Sequence, residues 1–268
     1  MRSTLSTVKK YLITLFGFRN SFHLSLLGHR LRVHYNLRNM KAERDYSILL
    51  QLAREKKCVF DVGANQGIIS LLVADQNAAT QIHAFEASED AVNVIKFNLA
   101  LNNFQGRVTV INSLIADRSG YVIPFYWDGS SGGSSITQGR LGHTNAMYKS
   151  TFSLDDYVDQ FQLKPDFIKM DIEGAEGIAI RGMARILKNI RPVLFVELHE
   201  LGSRKMFENA GDILQYIGQY DYHMFYLRTG ERITSMDVLK DRGRCHVLLL
   251  PSESNDGSFL KSFNLAGL

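Results

Sequence analysis

The stretch CVFDVGANQG, Cys58 to Gly67, decides how the rest of the chain is read. A short apolar run carrying one acid, Asp61, stops at a pair of glycines, Gly63 and Gly67, and a helical pattern follows. The run is strand length and is bounded by turn residues, so it reads as a buried strand. Gly63 and Gly67 permit a tight turn and a close approach of a ligand to the backbone, and the helix beyond them offers free N–H groups.

Working outward, the same alternation repeats. QIHAFE (Gln81 to Glu86), VTVIN (Val108 to Asn112), FIKMD (Phe167 to Asp171) and VLFVELH (Val193 to His199) read as four more buried strands. Helical patterns lie between most of them: Gly67 to Gln76, Glu89 to Asn102 with Ser88 as N-cap, and Ala175 to Asn189. Strands alternating with helices predict a mainly parallel sheet covered on both faces. YHMFYL (Tyr222 to Leu227) and CHVLLLP (Cys245 to Pro251) add two strands joined by a polar link. Upstream, HRLRVHYN (His29 to Asn36) reads as a strand or hairpin piece and Met40 to Lys56 as a helix. Ala116 to Lys149 differs: YVIPFYW is strand-like, and SSGGSSI (Ser130 to Ile136) reads as a mobile loop. The domain reading is a basic arm and leading helix over 1–56, a catalytic-type domain over 57–251 and a polar tail over 252–268.

The 268 residues suffice for one large α/β domain or two small ones, and an apolar fraction of 45% is that of a globular protein. Two cysteines, Cys58 and Cys245, each beside a strand, predict buried thiols in a reducing compartment, hence a cytoplasmic address. The formal net charge of +4 is uneven. Met1 to Asp45 holds nine Lys or Arg against two acids, so the rest of the chain is net negative. The longest apolar run of this arm, Tyr11 to Phe18, is far short of a membrane span. A basic segment with Leu, Phe and Ile can lie on an anionic membrane surface, or fold as a solvated arm against the domain.

The turn is not the dinucleotide fingerprint, because Asn65 stands where the middle glycine would make room for a pyrophosphate. Asp61 before the turn would repel a phosphate and suits a cationic ligand. Glu86, about twenty residues beyond Gly67, ends the second strand, where a carboxylate can accept from both ribose hydroxyls. A ribose with a positive attachment and no phosphate describes S-adenosylmethionine.

DVGANQG, FEAS, NLALNN, IKMDIEGAE and VELH, in that order, resemble the FkbM family of S-adenosylmethionine-dependent methyltransferases, over roughly Val59 to Tyr226. The resemblance implies a class I methyltransferase fold: a Rossmann-like, seven-stranded, mostly parallel sheet with its last strand antiparallel and helices on both faces. It also implies O-methylation of a hydroxyl, with a sugar, glycan or lipid-linked saccharide as the expected acceptor. By that likeness Asp61, Gly63, Asn65, Gly67 and Glu86 contact the cofactor, and the Asn112–Ser113 turn lies near its adenine.

In IKMDIEGAE, Asp171, Glu173 and Glu176 fall within six residues at the end of the fourth strand. A calcium loop fails on spacing, since Gly182 occupies the twelfth position counted from Asp171. Strand alternation would place Lys169, Asp171 and Glu173 on one face. Asp171 is the expected proton acceptor or orienter, with Glu173, Glu197 and His199 as further catalytic candidates. A divalent ion held by Asp171, Glu173 and Glu197 is the less favoured reading. An ion pair between Lys169 and a neighbouring acid accounts for part of the cluster without chemistry, and Glu176 reads as a helix cap.

Two rival functions stay open. An amine or nucleic-acid methyltransferase is encouraged by the basic arm, but no Asn-Pro-Pro or Asp-Pro-Pro turn follows the fourth strand, the prolines being 124, 165, 192 and 251. A silent, membrane-associated S-adenosylmethionine-binding protein is the other, against which Asp61, Glu86 and Asp171 are all present.

Overall fold

The computed structural model describes residues 20–41, 43–127, 136, 145–240 and 242–254. The arm before residue 20, the loop SSGGSSI apart from Ile136, and the tail from residue 255 lie outside the described residues.

The five buried runs and the two later ones form one sheet. In chain order its strands are β3 (Cys58–Val62), β4 (Gln81–Glu86), β5 (Val108–Asn112), β9 (Phe167–Met170), β10 (Val193–Leu198), β11 (Tyr222–Tyr226) and β12 (Cys245–Pro251). They lie side by side as β11-β12-β10-β9-β3-β4-β5. All neighbours are parallel except β12, which runs antiparallel to both β10 and β11. This is the expected seven-stranded sheet with its last strand reversed. The central strands are buried on both faces, which is why their sequences are mostly apolar rather than alternating, each interrupted by one charged residue, Asp61, Lys169 or Glu197.

Two apolar clusters cover the two faces. On one side lie α1 (Arg44–Ala53), α2 (Ile68–Gln76) and α3 (Glu89–Leu101); Leu49, Leu72 and Ile95 are fully buried there. On the other lie α4 (Leu154–Phe161), α5 (Glu176–Arg181) and α6 (Met206–Gly218), with Tyr157, Ile180 and Ile213 buried. Ser88 caps α3 through its hydroxyl, which accepts from Ala91 N at 3.4 Å. Neither α4 nor α6 is among the sequence expectations, although Ser153 caps α4 in the same way.

The helix expected over Ala175 to Asn189 is broken. It stops at Arg181 and resumes as a π-turn, Ile186–Ile190. Gly182 sits against the Ala116 carbonyl so closely that a Cβ would fall 2.4 Å from it. The Asp155 carboxylate then accepts from the Arg185 and Ile186 amides, both at 2.9 Å, replacing helix hydrogen bonds.

The leading segment is more structured than an arm. β1 (Ser21–Leu26) and β2 (His29–His34) form an antiparallel hairpin whose Leu24, Leu26, Leu31 and Val33 enter the same core as α1. Two asparagines of NLALNN fix it. Asn98 Oδ1 accepts from His34 N at 2.7 Å while its Nδ2 donates to Gln66 O at 2.9 Å. One turn on, Asn102 bonds both backbone groups of Arg32. Asn98 therefore ties the hairpin to the glycine turn beneath which α3 runs.

β7 (Val122–Trp127) pairs antiparallel with β8 (Asn145–Phe152), and β8 pairs with the short β6 (Leu114–Ile115), making a separate ribbon beside β4 and β5. No described helix is long and apolar enough to cross a membrane. Cys58 and Cys245, at the starts of β3 and β12, are both free thiols, pushed by burial up to about 11 and about 12.

Candidate active site

The C-terminal ends of β3, β9 and β10 open into a cavity of about 360 Å³. Gly63 forms its floor at φ +76°, and a Cβ there would meet the Asp171 carbonyl at 1.8 Å. Only glycine fits, for backbone and for space alike. Gly67 caps α2 at φ +82°, and Asn65 between them is also left-handed at φ +50°.

Asp61 lies under this turn, closed to solvent. Its Oδ2 accepts from Ser70 N at 3.1 Å and from Ser70 Oγ at 2.6 Å. Lys169 Nζ stands 3.2 Å from Oδ1, donates to Gly63 O at 2.7 Å and reaches within 3.9 Å of Asp171 Oδ2. Burial alone would lower the Lys169 pKa; the Asp61 and Asp171 charges outweigh it and raise the ammonium's pKa. The ion pair foreseen around Lys169 is thus present, and it neutralises the acid whose charge argued for a cationic ligand.

Glu86, at the end of β4, is held from both sides. Oε2 accepts from Asn65 N and Oε1 from Ser88 N, each at 2.8 Å. Burial raises its pKa and these two amides partly offset the rise. Each oxygen keeps a second lone pair for a ligand hydroxyl. Asn112 Nδ2 donates to the carbonyls of Glu86 and Ala87, at 2.9 and 3.1 Å, and Ser113 N donates to Glu86 O at 3.1 Å. The turn after β5 is therefore stitched to the Glu86 strand end.

The carboxylates of the fourth strand meet two histidines. Asp171 is about a third open to the cavity, and its pKa is raised to about 6 by burial, which Lys169 and His199 only partly counter. Strand alternation ends at Met170, so Glu173 arrives by a left-handed turn at φ +57° rather than by face. His199 is almost wholly buried among four acids: Nδ1 is 3.2 Å from Glu176 Oε1, and Nε2 is 3.5 Å from Glu197, 3.9 Å from Asp171 and 3.9 Å from Glu173. Burial lowers its pKa, but Glu176 and Glu197 more than reverse this, to about 10. At neutral pH it is an imidazolium, a donor rather than a base.

Glu197 is engaged on both oxygens. Arg244 lies 3.2 Å from Oε1 and His246 3.3 Å from Oε2; burial would raise the carboxyl's pKa, but His199 and His246 hold it well below its ordinary range. His246 in turn lies 2.7 Å from Asp45 on α1; burial lowers its pKa, and Asp45 with Glu197 raises it to about 9. Glu176 is not the helix cap read from the sequence: Ala175 is the N-cap of α5, and the buried Glu176 carboxylate instead accepts from the Ile172 and Gly174 amides of the preceding loop at 3.2 and 3.0 Å.

Sequence reasoning did not find Tyr46, Arg244 or His246, all of which line the cavity. The signal for His246 was a lone histidine in an apolar strand; its register opposite Glu197 comes from the antiparallel pairing. Three ligand atoms come within 4.8 Å of one another in two sets among the described residues: Asp171, Glu173 and His199, and Glu43, Glu197 and His246. Each set includes a histidine held protonated by its acids, which would have to lose that proton before ligating an ion.

The family model of the methyltransferase FkbM domain matches residues 61–224. The chain is 25% identical over 178 residues to the hexuronic acid methyltransferase AglP of Haloferax volcanii, an alignment covering 62% of this chain and 66% of that protein. Among solved structures, the methyltransferase FkbM of Methylobacillus flagellatus shares 19% identity at a TM-score of 0.48, over 72% of this chain and 43% of that one. A caffeoyl-CoA O-methyltransferase-like protein of Staphylococcus aureus shares 14% identity at 0.49, over 91% and 99%. The chain thus spans less than two thirds of the length of the first two of these proteins.

Proposed function

We propose, from the premise that this chain belongs to the FkbM family of methyltransferases, that it is an S-adenosylmethionine-dependent O-methyltransferase acting on a saccharide hydroxyl. The observation that carries the reading is the placement of Asp171: a half-buried carboxylate with its pKa raised to about 6, facing a cavity whose wall includes the glycine turn from Gly63 to Gln66, which Glu86 holds from behind through Asn65 N. The hexuronic acid methyltransferase of H. volcanii supports a saccharide as acceptor.

The residues fit the cofactor by the chemistry of their donors. Glu86, fixed by two amides, offers lone pairs to paired hydroxyls, while Gly63 to Gly67 brings backbone within reach and the Asn112–Ser113 turn would flank the adenine. S-adenosylmethionine, when bound, supplies an electrophilic methyl group and leaves as S-adenosylhomocysteine. The protein's own part is to orient the acceptor oxygen and take its proton. Asp171 does the second, since a carboxyl held near 6 is ionised at neutral pH yet more basic than an ordinary one. His199, held protonated, and Lys169 fix Asp171 from two sides and keep its charge tolerable in a closed site. Glu197 is better placed to hold His199 and His246 than to take a proton.

The test is a pair of measurements on the full chain. Calorimetry should show S-adenosylhomocysteine binding, and labelled-methyl transfer over a panel of glycans should give alkali-stable ether product. Absence of cofactor binding, or transfer to amines alone, overturns the reading.

A further inference from the structure

Beside the site, and sharing Glu43, Glu197, Arg244 and His246 as its walls, lies a second cavity of about 370 Å³. Three arginines line it: Arg228, Arg242 and Arg244. The acids that line it are engaged already. Asp45 pairs with His246, Glu197 with His246 and Arg244, and Glu43 lies 3.8 Å from Arg244. Arg228 and Arg242, by contrast, have no carboxylate within ion-pair distance among the described residues.

Arg242 is also preorganised. Its guanidinium stacks 4.4 Å over the Tyr226 ring, and Nε donates to Val238 O at 3.1 Å. Both terminal nitrogens are left in a fixed plane, the geometry that grips a carboxylate or phosphate with two hydrogen bonds. The path from here to the proton acceptor is short: Arg244 to Glu197 at 3.2 Å, Glu197 to His199 at 3.5 Å, His199 to Asp171 at 3.9 Å.

We propose that Arg228 and Arg242 form an anion subsite that holds a carboxylate or phosphate group of the saccharide acceptor while a neighbouring hydroxyl reaches Asp171. This rests on the methyltransferase reading for its last clause only; anion binding at the arginines stands or falls separately. A negative group near the reacting oxygen would otherwise be repelled by Asp171 and Glu173, so the arginines both attract the acceptor and fix which end of it enters.

The test uses the full chain loaded with S-adenosylhomocysteine and three probes: methyl glucuronide, glucose 1-phosphate and neutral methyl glucoside, with binding read by calorimetry or saturation-transfer NMR. At least one anionic probe should bind about tenfold or more tightly than the neutral one, as a charge-assisted pair contributes. Which of the two does so separates a uronate from a phosphate. Arg242→Gln and Arg228→Gln should each erode the preference with S-adenosylhomocysteine affinity unchanged. Arg228 is exposed and packs little, so its variant carries the test should Arg242→Gln unfold. Equal binding of all three probes, or a preference that survives both substitutions, overturns the subsite. If S-adenosylhomocysteine itself does not bind, the methyltransferase reading falls, and the same probe comparison on the unloaded protein still decides the subsite.

Discussion

Lys169 Nζ stands 3.2 Å from Asp61 Oδ1, while the other oxygen of that carboxylate takes both donors of Ser70. The pair is nearly closed to solvent and pins the glycine turn through Gly63 O. Removing one partner strands the other. Lys169→Met should therefore cost about 3–5 kcal/mol of stability in urea unfolding. Asp61→Asn with Lys169→Met should cost less than the two single changes summed. Strict additivity would mean the two charges do not depend on each other.

Glu86 accepts from the Asn65 and Ser88 amides, so its alanine variant would mix folding with binding. Glu86→Gln is the milder change: it keeps the shape and one of the two amide contacts but turns the other acceptor into a donor, so unfolding is measured beside binding. S-adenosylhomocysteine affinity should fall by about 1.5–3 kcal/mol, as for hydrogen bonds to a charged group. Unchanged affinity in titration calorimetry would place the ribose elsewhere.

Asn98 links β2, α3 and the glycine turn with its side chain wholly buried. Asn98→Ala leaves the His34 amide and the Gln66 carbonyl without their partner. A loss of about 1–3 kcal/mol is expected, the cost of unsatisfied buried groups. Thermal unfolding reads it, and a shift within error would show that water replaces the amide freely.

The two histidines set a pH window for stability. The folded pKa values, about 10 for His199 and about 9 for His246, lie above the ordinary 6.5, so their contribution is fully present below 6.5. It is lost as pH rises through 9 to 10. The urea midpoint should fall steadily from pH 6.5 to pH 10, and His246→Gln, less stable at neutral pH, should show a flatter profile. A midpoint that rises over this range contradicts the assignment of both as imidazolium.

Much of the fold was legible because buried central strands announce themselves as mostly apolar runs, and all seven sheet strands lie where runs are read, including the edge strand β5, which is largely unburied, and β11, which alternates. Local chemistry failed where a tertiary contact decides. The break at Gly182 depends on Ala116 and on Asp155, both distant in sequence. Strand β8 begins inside the span read as YVIPFYW plus a loop, and α4, although Ser153 caps it, falls in a stretch to which the sequence reading assigns no element. In the site, the strand-end residues Asp61, Gly63, Glu86 and Asp171 could be named, since position on a strand is a one-dimensional property. That Asp61 spends its charge on Lys169, and that Glu197 spends its own on His246, could not. Those pairings need the strand order and the antiparallel register of β12.

Asp171 separates three chemistries in one experiment. If it takes the acceptor proton, Asp171→Asn should keep fold and S-adenosylhomocysteine affinity while slowing methyl transfer by about 10² to 10⁴, the range for loss of a general base. The wild-type kcat/KM should then rise with pH on an acid limb centred near 6, because the ionised carboxylate is the active form and its pKa is about 6. If Asp171, Glu173 and His199 instead hold a divalent ion, a chelator should silence the wild type and added metal should restore it. A helix cap is not open to Asp171, because Ala175 is the N-cap of α5; if Asp171 has no part in the chemistry, the variant should stay nearly as active. Single-turnover rates with and without chelator distinguish these outcomes. Full activity in Asp171→Asn, with no acid limb near 6, would remove the carboxylate from the mechanism.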